Sequence, residues 1–413
     1  MRDGFRTLRA TLTGMDRGLV SGGTVSGRPV TDIPETGSMA SRPRRRLHGV
    51  DAARAVAIFG MVMVHFRPFP APDTTLGNLY GLSHGRASVL FALLAGVGVA
   101  LLTGGRSGGR TSLTRGRLVL RGALLLPLGL WLQDFEHGAL VILQYYGIYF
   151  VFVAFVLTLP DRWLLAGGAA VLVVGPLVYL WGQTVVPEWY VRGETASLDD
   201  PISKIADDLL LTGAYPLVTW AAPLLIGLWI GRRDLASARV RWWLLVLGLA
   251  VAVTAAFAAD GLSAAFGGLS GEPGESGLAA LLTDQPHRQM PLWMLGSIGS
   301  ACAVLGGMLL LADRLPRATW PLAATGQLAL TVYVGHLLLL AALPELLKRE
   351  AVTEAFLTVG VFVLLTAAVC TLWRAVLPRG PLEAAFSAPW WIIERVVRRL
   401  KAGRGVRELG THR

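Results

Sequence analysis

Charge is scarce in this chain: 16% of its 413 residues are Asp, Glu, Lys or Arg, where a soluble domain carries about a quarter. With 53% apolar side chains and a mean hydropathy of +0.54, an ordinary water-soluble fold is excluded. Cysteine is nearly absent, and Cys302 and Cys370 both lie inside apolar runs without ligand-like neighbours. No disulfide framework follows, and no metal site is expected. Sustained alternation of polar and apolar residues is also missing, which excludes a transmembrane β-barrel. Acidic groups are the minority, 27 against 38 basic, for a net charge of +11. The basic groups fall between apolar runs instead of forming one face, so no nucleic-acid partner is expected and membrane topology explains them. No short internal repeat is present, and the Arg- and Gly-rich stretch "GGRSGGRTSLTRGR" has no P-loop spacing.

What is present is a series of ten apolar segments, at about 50–66, 87–103, 118–134, 139–159, 163–186, 209–231, 242–259, 290–312, 320–343 and 353–377. Segments of this length and composition cross a bilayer as helices. The expected fold is therefore all-α, a polytopic membrane bundle of about ten transmembrane helices spanning residues 46–378. Residues 1–45 are rich in Gly, Ser, Thr and Arg and read as a disordered cytoplasmic tail, with Met39 as an alternative start. Arg44, Arg45 and Arg46 precede the first apolar stretch, so no signal peptide is expected and the N-terminus is held inside. With that orientation Arg106, Arg110, Arg115, Arg117, Arg121, Arg232, Arg233, Arg239 and Arg241 fall in inside loops, and both termini are cytoplasmic in a multi-pass protein of the cell membrane. Trp189 and Tyr190 occupy an outside loop, where interfacial aromatics belong. Residues 379–413 alternate Trp390, Trp391, Ile392, Ile393, Val396 and Val397 with Arg395, Arg398 and Arg399, the pattern of a basic amphipathic helix lying on lipid.

Polar chemistry concentrates in the first span, "RRLHGVDAARAVAIFGMVMVHF". Asp51 and Arg54 are three apart and share a helix face. His65, eleven residues beyond Arg54, returns to that face about 16 Å further along. Ionisable groups in a span are costly in lipid and turn toward a bundle interior, which makes all three functional candidates. The plainer alternative is that Asp51 and Arg54 anchor the helix end and His65 snorkels to the interface. His84, His137, His287 and His336 join His65 toward the outer side, opposite most arginines. Bases on one side and cations on the other suit an anionic donor entering from the cytoplasm and an acceptor waiting outside. Gln144, Tyr145 and Tyr146, and Gln327, Thr331 and Tyr333 in "TGQLALTVYVGH", are polar residues within spans that equally serve helix–helix hydrogen bonding.

Asp51-x-x-Arg54 followed by His65, "GRASVLFALLAGVGVAL" from Gly85, "VILQYYGIYF" from Val141, "GQLALTVYVGHLL" from Gly326 and "GPLE" from Gly380 together resemble bacterial membrane proteins of the heparan-alpha-glucosaminide N-acetyltransferase-like and YeiB-like group, within the transmembrane acyltransferase superfamily. The resemblance covers about 46–385. It implies transfer of an acetyl or other acyl group from cytoplasmic acyl-CoA to a hydroxyl or amine on an outer-side glycan, lipid-linked sugar or small metabolite, with a histidine essential. Arg54 and His65 match the arginine, ten residues, histidine arrangement of the acyltransferase-3 branch; in the glucosaminide branch the histidine lies in the next outer loop, where His84 is nearest. Ala55 departs from the usual Asp-x-x-Arg-Gly.

His65, or else His84, is then the general base; Arg54, oriented by Asp51, polarises or binds the donor; Arg115, Arg117 and Arg121 hold its phosphates; and Arg86, Gln144, Tyr145 and His336 line the acceptor site. Acyl-CoA is a substrate and no bound cofactor is expected. Membrane lipid is the other partner, and a homo-oligomer is open. A proton-coupled transporter or lipid-handling protein would use the same His, Arg and Asp stripe, with flux that needs no acyl-CoA. A non-catalytic interaction protein is the third reading.

Overall fold

The computed structural model describes residues 46–67, 74–104, 111–185, 195–265, 281–282 and 285–410. The tail 1–45, Arg106 and Arg110, Trp189 and Tyr190, and the side chains beyond Arg395 lie outside the described residues. Among the described residues there is no strand. Helices are the form an apolar chain adopts in lipid, because each satisfies its own backbone N–H and C=O groups.

In chain order the helices are α1 (His48–Phe66), α2 (Thr75–Gly81), α3 (Arg86–Leu102), α4 (Thr111–Gln133), α5 (Leu143–Val156), α6 (Asp161–Val185), α7 (Ile202–Asp207), α8 (Leu217–Gly231), α9 (Ala238–Ala265), α10 (Pro291–Arg314), α11 (Pro316–Gln327), α12 (Ala329–Ala342), α13 (Pro344–Leu347), α14 (Val352–Val376) and α15 (Pro381–Gly410). Each of the ten apolar segments contains a helix. Six helices or joined helices are long and apolar enough to cross a membrane, and eight if the bent pairs formed by α7, continued through a π-helical turn to Thr212, with α8 (57°) and by α11 with α12 (72°) each count as one span. The two segments left over have physical reasons. α4 carries Arg115, Arg117 and Arg121 in its first half, and α5 has only 14 residues. α5 is short because the chain re-enters the bundle before the helix begins: Gln133 at the end of α4 accepts from Val141 N at 3.0 Å and Tyr333 Oη accepts from Ile142 N at 3.1 Å.

The spans sort into an inner and an outer set. In an apolar 18-residue stretch of α1, α2–α3 and α10 the share of residues buried within the protein is 67%, 72% and 61%, against 22% in α6 and 17% in both α9 and α14. The outer helices present Phe257, Leu364 and similar side chains outward, as lipid-facing surfaces do. Between inner helices glycine sets the spacing: a Cβ at Gly96 of α3 would meet Leu228 N of α8 at 2.6 Å, and one at Gly227 of α8 would meet Leu93 C at 2.9 Å. Small residues facing each other bring the two backbones together, the usual device where lipid removes the hydrophobic drive for association.

Candidate active site: an arginine-lined cavity and a histidine pair

Gly49 at the start of α1 packs on Leu309 near the end of α10, and Gly231 at the end of α8 packs on Val97 and Ala100 near the end of α3, giving the bundle an arginine end, where α1 begins, and a histidine end, where it stops. At the arginine end many cations are spent on the fold. Arg232 donates to Leu157 O and Leu159 O, both at 2.7 Å, and pairs with Asp161 at 2.9 Å. Arg233 also pairs with Asp161, and Arg241 with Asp313. Arg115 belongs to this group, not to the cavity: its Nε donates to Ala154 O at 3.0 Å and its Nη2 to Thr158 Oγ1 at 3.2 Å, closing the end of α5.

Other arginines converge on a cavity of about 260 Å³ whose lining includes Arg46, Arg54, Arg117, Arg121, Tyr146 and Glu383. Asp51, buried beneath it, accepts from Arg46 Nε at 2.7 Å and from Arg54 Nη1 at 2.8 Å, so the pairing expected from their spacing is present. The rest of the Arg54 guanidinium turns inward over Gly98, where a Cβ would come within 2.8 Å of Nη2. Arg121 lies 5.1 Å from the Phe150 ring, and Arg117 lies 5.2 Å from the Trp390 ring with Glu394 3.9 Å away. Tyr146 Oη and Gln327 Nε2 are buried with no hydrogen-bond partner. Hydrogen-bond donors outnumber acceptors, and orphaned buried groups ask for a ligand rich in acceptors. Phosphate and carbonyl oxygens meet that description.

The break between α11 and α12 forms part of this wall. Gly326 packs so closely against the Asp51 carbonyl of α1 that a Cβ would collide with it. The break leaves the first N–H groups of α12 without helical partners. Glu383 supplies them from α15: its Oε1 accepts from Leu330 N at 2.8 Å and Thr331 N at 3.1 Å, and its Oε2 from Thr331 Oγ1 at 2.6 Å. Leu382 N in turn donates to Thr331 Oγ1 at 3.2 Å. "GPLE" is thus the docking piece of α15 on a broken helix, a role the sequence reading did not assign to Glu383.

A layer of rings separates the cavity from the histidine end. Phe91 sits 5.0 Å from Tyr146 and 6.3 Å from Tyr333, and Tyr333 meets the His336 ring edge-on at 5.1 Å. His336 and His65 are joined directly, with His65 Nδ1 3.1 Å from His336 Nε2. Two histidines 271 residues apart therefore form one unit. His84 does not join it: its ring lies 5.2 Å from that of His287, which packs on Tyr215 at 5.6 Å and Trp293 at 6.2 Å. His287 lies outside the spans, and burial, with His84 beside it, pushes its pKa down to about 3. His137 accepts from Ala139 N at 3.0 Å and contacts Leu132 O at 2.9 Å, holding the re-entrant turn before α5.

Gln144 and Tyr145 point away from both places. Gln144 Nε2 donates to Ala196 O at 3.4 Å and Tyr145 Oη accepts from Ala214 N at 3.1 Å, fastening the 195–214 segment to α5. Arg86 opens α3 beside His84. Among the described residues no group of three or more His, Cys, Asp or Glu is arranged to hold a metal, and both cysteines are free.

Fold and site together define a multi-pass membrane helix bundle with an acceptor-seeking cationic cavity at one end and a paired base at the other. The family model for an acyltransferase domain matches residues 139–374, more than half of the chain, and the chain belongs to that acyltransferase family. No curated protein matches the chain.

Proposed function

We propose that the protein moves an acetyl or other acyl group from acyl-CoA, bound at the arginine end on the cytoplasmic side, to a hydroxyl or amine acceptor presented at the histidine end on the outer side of the cell membrane. Both termini are then cytoplasmic and α15 lies along the inner leaflet. Within the acyltransferase family, the motifs from Asp51 to Glu383 favour the heparan-alpha-glucosaminide N-acetyltransferase-like and YeiB-like group as part of this proposal. The observation that carries the proposal is the single ring layer, Phe91, Tyr146 and Tyr333, between the cavity and the His65–His336 pair. Arg46, Arg54, Arg117 and Arg121 offer guanidinium donors to the donor's phosphates and amide carbonyls. The thioester arm points toward the ring layer, and Tyr146 Oη is a free donor for its carbonyl oxygen.

His65, which is less deeply buried than His336, takes the proton from the acceptor hydroxyl or amine. The acceptor oxygen or nitrogen bonds to the thioester carbonyl carbon, the C–S bond breaks, and the CoA thiolate leaves with the proton returned by the imidazolium. Acetyl-CoA carrying labelled acetyl, supplied to the purified protein in liposomes with a membrane-glycan extract, tests the reading. It predicts release of free CoA thiol matched by label in the extract. Absence of both acyl-CoA binding and CoA release overturns it, as does substrate flux that proceeds without acyl-CoA.

A further inference from the structure

The two rings of the histidine pair lie within 4° of parallel with centroids 5.3 Å apart, while their facing nitrogens are 3.1 Å apart. Centroids further apart than the nitrogens by about one ring width mean that the rings meet edge to edge, nitrogen to nitrogen. That is the in-plane geometry of an N–H···N hydrogen bond, in which one nitrogen carries a proton and the other a lone pair.

The second nitrogen of His336 decides which. His336 Nδ1 faces the Val332 carbonyl at 3.4 Å. A carbonyl oxygen only accepts, so Nδ1 of His336 bears the proton. A neutral imidazole has one N–H, which leaves His336 Nε2 as a lone pair. His65 Nδ1 must then be the donor, and His65 Nε2 is left bare on the side away from His336.

We infer that His336 is a positioning residue which fixes His65 in the Nδ1–H form and so presents His65 Nε2 as the unprotonated base toward the acceptor. This rests on the acyl-transfer reading for its consequence, although the tautomer itself does not. His336 was assigned to the acceptor site by sequence; with 1% of its surface exposed it stands behind His65, one step from the acceptor. The arrangement repeats the logic by which a base is oriented by a partner on its other nitrogen. Here the partner is a second imidazole anchored on the Val332 carbonyl, so the orienting group is neutral and adds no buried charge.

The test uses the full-length protein with 15N-labelled histidine in lipid, the His65 signals being assigned by their loss in His65→Asn. In the wild type His65 is expected in the Nδ1–H form. In His336→Leu, which removes the acceptor, His65 should pass to the Nε2–H form or a mixture. CoA release from acetyl-CoA should fall about 10- to 10,000-fold, the range seen when an orienting partner is removed, with KM for acetyl-CoA unchanged. His336→Gln keeps an acceptor oxygen and should recover part of the rate. Persistence of the Nδ1–H form in His336→Leu overturns the inference, and so does a His336→Gln variant that folds but is as slow as His336→Leu. A wild type that releases no CoA counts against the acyl-transfer reading alone, since the nitrogen signals are read without turnover.

Discussion

Arg54 is held on one side by Asp51 and open on the other to the cavity, so its replacement should act on donor binding more than on folding. Arg54→Ala is expected to weaken acetyl-CoA binding about 10- to 100-fold, the loss of a hydrogen bond to a charged group. Arg54→Lys should recover only part, because an ammonium cannot reproduce the planar fork that grips Asp51 and ligand together. Calorimetric titration with acetyl-CoA checks this; full affinity in Arg54→Ala would make the Asp51–Arg54 pair structural. His287 gives a prediction of another kind. Its folded-state pKa of about 3 lies below the ordinary value of 6.5, so below pH 6.5 the unfolded chain binds the proton that the folded chain refuses. Stability contributed by neutral His287 is present above pH 6.5 and is lost as pH falls from there toward 3. Thermal midpoints measured between pH 7 and pH 4 should drop more steeply in the wild type than in His287→Gln. At this scale the sequence exposed what spacing within one helix encodes, the Asp51–Arg54 pair. It did not expose that Arg115 caps α5 while Arg117 and Arg121 reach the cavity, because that depends on which neighbour each side chain meets across the bundle.

Helix α12 carries Tyr333 and His336, and its start is secured from outside by Glu383. Removing that cap in Glu383→Ala should cost about 1–2 kcal/mol, as for other helix caps, and should also slow transfer by loosening the helix that holds His336. Glu383→Gln keeps an acceptor oxygen and should lie between. Thermal denaturation and CoA release measured on the same preparations check the coupling; a variant with lowered stability and an unchanged rate would separate the cap from the site. A larger side chain at Gly326 should be worse than either, since Asp51 O leaves it no room. The ten apolar segments were legible because bilayer thickness imposes their length. The bends were not: hydropathy reads 320–343 as one run, and only the crowding of Gly326 on α1 and the reach of Glu383 show why the helix breaks there. The shortness of α5 was likewise hidden, because residues 139–142 are apolar whether they are helix or a buried turn.

Across the whole molecule the two ends differ in chemistry, and their placement on opposite membrane faces is the widest claim. With Cys302 and Cys370 replaced by serine, Ala236→Cys at the arginine end and Ile202→Cys at the histidine end should respond oppositely to an impermeant thiol reagent on intact cells. Only Ile202→Cys is expected to label; the reverse pattern would invert every statement about sides. The central claim, that His65 moves the proton for acyl transfer while a separate cavity holds the donor, is tested most directly by one comparison. CoA release and acetyl-CoA binding are measured side by side for the wild type, His65→Gln and His84→Ala in liposomes. The account predicts that His65→Gln binds acetyl-CoA with wild-type affinity and releases no CoA, while His84→Ala retains transfer. Full transfer by His65→Gln, or its abolition by His84→Ala alone, would contradict it.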